Sequence, residues 1–137
     1  MSGFSVEWLD LREDADHRAR DRRLLESAVS WLNKLKTKNK VIADLGSGTG
    51  ATIKEFQEVN TQSSSTHWRL IDNDPEVLAE AVRRHAEGQV IEDFLLDLSD
   101  TQKLPLEQVS LVTTSALLDL VSANFIRELS ILIKREN

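Results

Sequence analysis

Asp44, Gly46, Gly48 and Gly50 occupy every second position at the end of Val41-Ile42-Ala43-Asp44-Leu45-Gly46-Ser47-Gly48-Thr49-Gly50. That spacing suits a charged ligand held against bare backbone. Glycine accepts positive φ without strain and has no Cβ to keep a bound group away. The apolar lead-in reads as a buried strand, and Ala51-Thr52-Ile53-Lys54-Glu55-Phe56 as the start of a helix. Free N–H groups at that helix start are expected to face the same spot. A plain strand-to-helix loop rarely needs three glycines, so the turn reads as a nucleotide-type binding element.

Two motifs compete for it. Gly46, Gly48 and Ala51 formally satisfy the dinucleotide pattern G-x-G-x-x-G/A. Asp44 argues against that reading, because a carboxylate there repels a diphosphate and welcomes an ammonium and a sulfonium. Asp44-x-Gly46-x-Gly48-x-Gly50 resembles the first motif of class I S-adenosylmethionine-dependent methyltransferases. The resemblance implies that Asp44 orients the methionine end of S-adenosylmethionine. It also implies that Gly46, Ser47, Gly48 and Gly50 line the cofactor.

A second acid lies within the expected βαβ distance. His67-Trp68-Arg69-Leu70-Ile71-Asp72 reads as a short strand ending in a carboxylate, able to accept hydrogen bonds from both ribose hydroxyls. Asn73-Asp74-Pro75-Glu76 opens the next helix, with Asp74 as N-cap, Pro75 at the first helical position and Glu76 complementing the dipole. The family's second motif makes the same split, and Asn73 joins the cofactor set with it.

After the next strand, Asp97 and Leu98 match the family's adenine-binding acid and its apolar neighbour. The alternative is that Asp97, Ser99 and Asp100 form a surface turn or helix cap. Val109-Ser110-Leu111-Val112-Thr113-Thr114 is an apolar, β-branched run of the kind buried in a parallel sheet. In the family the segment following it lies beside the transferred methyl group. Thr114 is thereby placed at the cofactor, and Ser115 and Asp119 become candidates for the reaction site. Many relatives carry a histidine near position 119. His17 is a third candidate base, because the N-terminal helix often lids the pocket in relatives; its bland reading is a solvated helix residue. This run and Ser5-Val6-Glu7-Trp8-Leu9-Asp10-Leu11-Arg12-Glu13 resemble a bacterial subgroup of these enzymes.

The chain has 137 residues, no cysteine and a formal charge of -6. One domain spanning 1–137 is expected, a helical extension over 1–39 and a core over 40–137. Disulfides and cysteine metal sites are ruled out, which suits a reducing cytoplasm. Neither a signal-peptide pattern nor a membrane-spanning apolar run is present. The acidic balance disfavours nucleic acid. Lys34, Lys36, Lys38 and Lys40 are expected to complement a helix C-terminus and stay solvated. His17, His67 and His85 lack metal-ligand spacing.

To position these residues the sequence must alternate strands and helices. We read a helix over about 13–36, with a stripe of Leu24, Leu25, Ala28, Val29, Trp31, Leu32 and Leu35. Strands follow at about 40–45, 67–72, 89–92 and 108–114, with helices at about 50–60, 75–86 and 120–134. This predicts a Rossmann-like parallel sheet of order 3-2-1-4 flanked by helices, with the ligand at the carboxyl ends of strands one and four. A full methyltransferase domain has seven strands; this reading lacks strands five to seven, as in a truncated domain. Strand four is then left as an edge, a template for pairing with a second copy. The resemblance implies a methyltransferase acting on an unidentified small molecule, with S-adenosylhomocysteine as product. The alternatives are a non-catalytic cofactor-binding or interaction fragment and an NAD-dependent oxidoreductase.

Overall fold

A computed structural model describes residues 5–19, 22–37, 39–60, 66–114 and 123–136. Its elements, in order, are α1 (Val6–Ala19), α2 (Arg22–Lys34), β1 (Lys40–Leu45), α3 (Ala51–Val59), β2 (Thr66–Asp72), α4 (Pro75–His85), β3 (Val90–Leu95), a 3-10 turn (Thr101–Lys103), β4 (Leu111–Thr114) and α5 (Ala123–Glu136). The strands form one sheet in the order β3-β2-β1-β4, and every neighbouring pair is parallel. This is the expected architecture.

Alternation along the strands divides the core into two layers. Ile42, Trp68 and Leu70 face α2, α3 and α4, where Val29, Leu32, Ile53, Phe56, Leu78 and Ala81 are buried against them. Phe56 and Trp68 meet edge to face at 5.3 Å between ring centroids, a geometry worth about 0.5–1.5 kcal/mol beyond the area buried. On the other face Ala43, Leu45 and Ile71 pack with Leu104 and Leu106 and with Phe125, Leu129 and Leu132 of α5. Asp44 and Asp72 belong by the same alternation to the α2–α4 face, at its carboxyl rim.

Several expectations shift. The N-terminal region holds two helices, starting at Val6, where one over 13–36 was expected. In α2 the apolar stripe is narrower than expected: Val29 and Leu32 are buried, whereas Leu24 and Trp31 are 70% and 48% exposed. Its buried face only has to cover one side of a thin sheet. β3 runs on through Phe94 and Leu95, which pair with Ile71 and Asp72. β4 begins later, because Gln108 adopts φ 60 in the approach to it and Ser110 N–H first bonds the Val41 carbonyl at 2.7 Å. Lys40 is buried in β1 and not solvated, and Lys38 lies outside the described residues.

Two polar devices fasten the frame. The Arg69 guanidinium donates to the carbonyls of Pro105 and Glu107, each at 2.8 Å, tying the approach to β4 onto β2. Arg84 at the end of α4 bonds both carboxylate oxygens of Asp10, at 2.9 and 3.1 Å, and Glu80 at 2.8 Å. Lys54 reaches Glu13 at 3.7 Å. Together these dock α1 against α3 and α4.

Candidate functional site

β1 delivers the chain into the glycine turn at the carboxyl rim of the sheet. Gly46, Gly48 and Gly50 all take positive φ, at 70°, 57° and 89°. The turn is wired mostly to the protein itself. Gly46 and Ser47 N–H both donate to the Ile71 carbonyl, at 2.8 and 3.1 Å, and Gly50 N–H donates to Ser47 O at 3.1 Å. Gly48 N–H donates to Asp72 Oδ2 at 3.0 Å. These four donors belong to the turn itself, ahead of the first residue of α3, Ala51, where the sequence placed the free N–H groups. Parallel pairing brings Ile71 beside Leu45, so β2 intercepts the donors a phosphate cradle would need.

Asp72 is buried at the end of β2. Besides Gly48 it accepts the Asp74 N–H on Oδ1 at 3.1 Å. Asp74 caps α4 through Glu76 and Val77 N–H, at 3.0 and 3.4 Å. Asp74 is the cap that the sequence implied, and Asp72 stands at the turn. Asn73 sits between them, partly exposed.

Asp44 is 1% exposed. Burying a carboxylate requires hydrogen-bonding partners, and one comes from β4: the Thr113 hydroxyl lies 2.8 Å from Asp44 Oδ1, the two residues being direct partners in register. Ser47 is buried, and its Oγ has no hydrogen-bond partner. An orphaned hydroxyl of this kind costs about 1–3 kcal/mol. It is a polar group held ready at the turn.

The third glycine has a reason internal to the protein. A Cβ built at Gly50 would stand 2.6 Å from His85 Cδ2. The imidazole fills that space, beside the Thr49 backbone. Burial pushes its pKa below the ordinary value; the Thr49 backbone and the charge of Glu13 oppose this, and Arg84 and Lys54 add to it. At Gly48, the nearest neighbour a Cβ would meet is Leu9 Cδ1 of α1, at 3.5 Å, so α1 lies over the turn.

Asp97 follows β3 and accepts from Ser99 N–H at 2.9 Å and Ser99 Oγ at 2.8 Å. These bonds, the backbone one first, hold its carboxyl below the usual range. Its local geometry is thus that of the surface turn, with the carboxylate exposed. Leu98 packs onto the α5-side core. Thr114 ends β4 beside Leu45. Ser115 and Asp119 lie outside the described residues, as does the side chain of His17. No cluster of acids and histidines able to hold a metal occurs among the described residues, nor any helix long and apolar enough to cross a membrane. The places of Thr113 and His85 at the turn escaped the sequence reading; only the register of β4 and the packing of the end of α4 bring them there.

No family model matches this sequence, and no curated protein matches it in a sequence search. Solved structures do match by fold. CalS10, an amino pentose methyltransferase from Micromonospora echinaspora solved with S-adenosylmethionine, aligns with 97% of this chain and 52% of its own, at TM-score 0.58 and 18% identity. The chain has the class I methyltransferase fold. The plantazolicin methyltransferase BpumL, in complex with S-adenosylhomocysteine, aligns with 93% of this chain and 48% of its own, at TM-score 0.59 and 15% identity. Phosphoethanolamine N-methyltransferase 1 of Haemonchus contortus aligns with 98% of this chain and 30% of its own, at 0.57 and 17%. This chain spans about half the length of the first two. Within the methyltransferase fold the glycine turn stands where the strand order reverses, between β1 and β4, the place where open α/β sheets take their ligands.

Proposed function

We propose that this chain is the cofactor-binding portion of an S-adenosylmethionine-dependent methyltransferase acting on a small-molecule acceptor. The observation that carries the reading is the wiring of the turn. Gly48 N–H, a donor that a pyrophosphate would claim, is engaged by the Asp72 carboxylate, and a second buried carboxylate, Asp44, precedes the turn. Two fixed negative charges disfavour a diphosphate by Coulomb repulsion. They favour a ligand with cationic groups and hydroxyls.

The residues present fit such a ligand. Asp72 uses one contact on each oxygen, and an ionised carboxylate offers about four lone-pair sites, so it can still accept from a ribose. Ser47 Oγ is an unsatisfied buried group at the turn. Asp44 supplies charge for the ammonium end, and Asp97, exposed beyond β3, can accept from an adenine amino group. When bound, the sulfonium supplies an activated methyl group. The chain's contribution is to orient the donor and hold the acceptor in line at near-contact distance.

The test is a melting-temperature comparison of S-adenosylhomocysteine with NADH. A ligand at a hundred times its Kd adds about 2.7 kcal/mol to the folded state. Stabilisation by S-adenosylhomocysteine alone is expected; stabilisation by NADH alone overturns the proposal. One observation favours a second reading, a non-catalytic cofactor-binding fragment: the chain matches only about half of each of two solved methyltransferases. Binding of S-adenosylhomocysteine without turnover on any acceptor would select it.

A further inference from the structure

We propose that Thr113 is a positioning residue that aims the Asp44 carboxylate, and that the pair selects ligands carrying an aminoacyl ammonium over adenosine compounds that lack one. The inference rests on the cofactor reading of the turn given above. Thr113 is the third of the four residues of β4, and Asp44 is its direct partner in β1. Directly opposed residues in a sheet project to the same face with their side chains in reach. The Thr113 hydroxyl has one proton. It stands 2.8 Å from Asp44 Oδ1 and 3.5 Å from the Ala43 carbonyl, so the carboxylate receives it. Threonine is stiff at χ1, and the bond therefore helps to orient Asp44 from the β4 side as well as supplying one of its partners.

A carboxylate oriented in this way has chemical consequences. Asp44 is fully enclosed, so its charge acts through a medium of low effective dielectric, where a misdirected carboxylate loses much of its attraction for a cation. Asp44 lies two residues before the turn's first glycine on β1, and Asp72 ends the neighbouring strand β2, two residues beyond Asp44's partner Leu70. Asp72 reads hydroxyls; Asp44, aimed from β4, reads charge. Removing the Thr113 hydroxyl should then weaken ligands that carry the ammonium and spare those that do not.

Calorimetry with S-adenosylhomocysteine and 5′-methylthioadenosine, which shares the adenosine and thioether but has no aminoacyl group, tests this. Thr113→Val keeps the shape and removes the donor. Thr113→Ala removes it without setting a methyl against the carboxylate, and serves if the valine variant does not fold. Either is expected to weaken S-adenosylhomocysteine about tenfold, because an Asp44 no longer aimed by the hydroxyl gives up roughly one charge-assisted bond to the ammonium, with 5′-methylthioadenosine unchanged. Thr113→Ser, which keeps the hydroxyl, is expected to restore the preference. Equal weakening of both ligands, or of neither, overturns the positioning role while leaving the cofactor reading intact. Failure of the unaltered protein to bind either compound overturns both.

Discussion

The Asp72 carboxylate accepts the Gly48 N–H at 3.0 Å, joining the end of β2 to the middle of the glycine turn across 24 residues of sequence. The same side chain holds Asp74 N–H, so one buried acid sets both the turn and the entry to α4. Hydrogen bonds to charged groups contribute about 1.5–3 kcal/mol each. Asp72→Ala is therefore expected to destabilise the fold by about 3 kcal/mol or more in urea melts. It should also weaken S-adenosylhomocysteine ten- to hundredfold in calorimetry. Unchanged affinity in a folded variant would remove Asp72 from the site.

Ser47 offers the opposite balance. Its Oγ is buried without a partner, so Ser47→Ala removes a desolvated group and nothing that it bonds. We expect the ligand-free variant to be as stable as the parent or up to about 1 kcal/mol more stable, and to bind S-adenosylhomocysteine less tightly. A large loss of stability with unaltered affinity would show the hydroxyl to be structural.

Gly50→Ala must pay twice. The left-handed backbone at φ 89 costs a Cβ-bearing residue roughly 1–2 kcal/mol, and the new methyl meets His85. His85→Ala clears the second obstacle and leaves the first. A double-mutant cycle should accordingly give a positive rescue: Gly50→Ala less destabilising in the His85→Ala background by at least about 1 kcal/mol. Additivity would mean that the imidazole simply swings aside.

His85 also sets a pH dependence. Its folded-state pKa lies below 6.5, mainly through burial, so the unfolded chain takes up the proton more readily. Stability is then whole above about 6.5 and falls as pH drops through the depressed folded value. The carboxylates act lower down: Glu80, held at about 2 by Arg83 and Arg84, departs from 4.5, so its share is lost only as pH falls below that value toward about 2. Urea midpoints at about pH 7.5 and about pH 5.5 should differ. In His85→Gln, neutral throughout, the difference should shrink.

What the sequence disclosed and what it withheld divide along physical lines. Asp44, the three glycines, Asp72 and the Asp74 cap were legible because each expresses a local rule: a strand end, a positive φ, an N-cap. The sheet order followed from alternating elements and right-handed crossovers. The contact between Gly50 and His85 was hidden, because it joins residues 35 positions apart that only the packing of the last residue of α4 against the turn brings together. Thr113 was passed over for Thr114, since only the register with β1 tells which threonine faces Asp44. The wiring of the turn's N–H groups needed the three-dimensional placement of Ile71, which no spacing encodes.

Arg69 bears on how the chain assembles. Its guanidinium clasps carbonyls 36 and 38 residues downstream, just ahead of the last described strand. That grip needs β2 and the 105–107 segment together, and long-range contacts of this kind are slow to form because loop closure must precede their reward. The guanidinium thus acts as a clasp: it holds the segment ahead of β4 on β2 while β4 pairs in register with β1. Removing the clasp with Arg69→Ala should slow refolding more than it speeds unfolding.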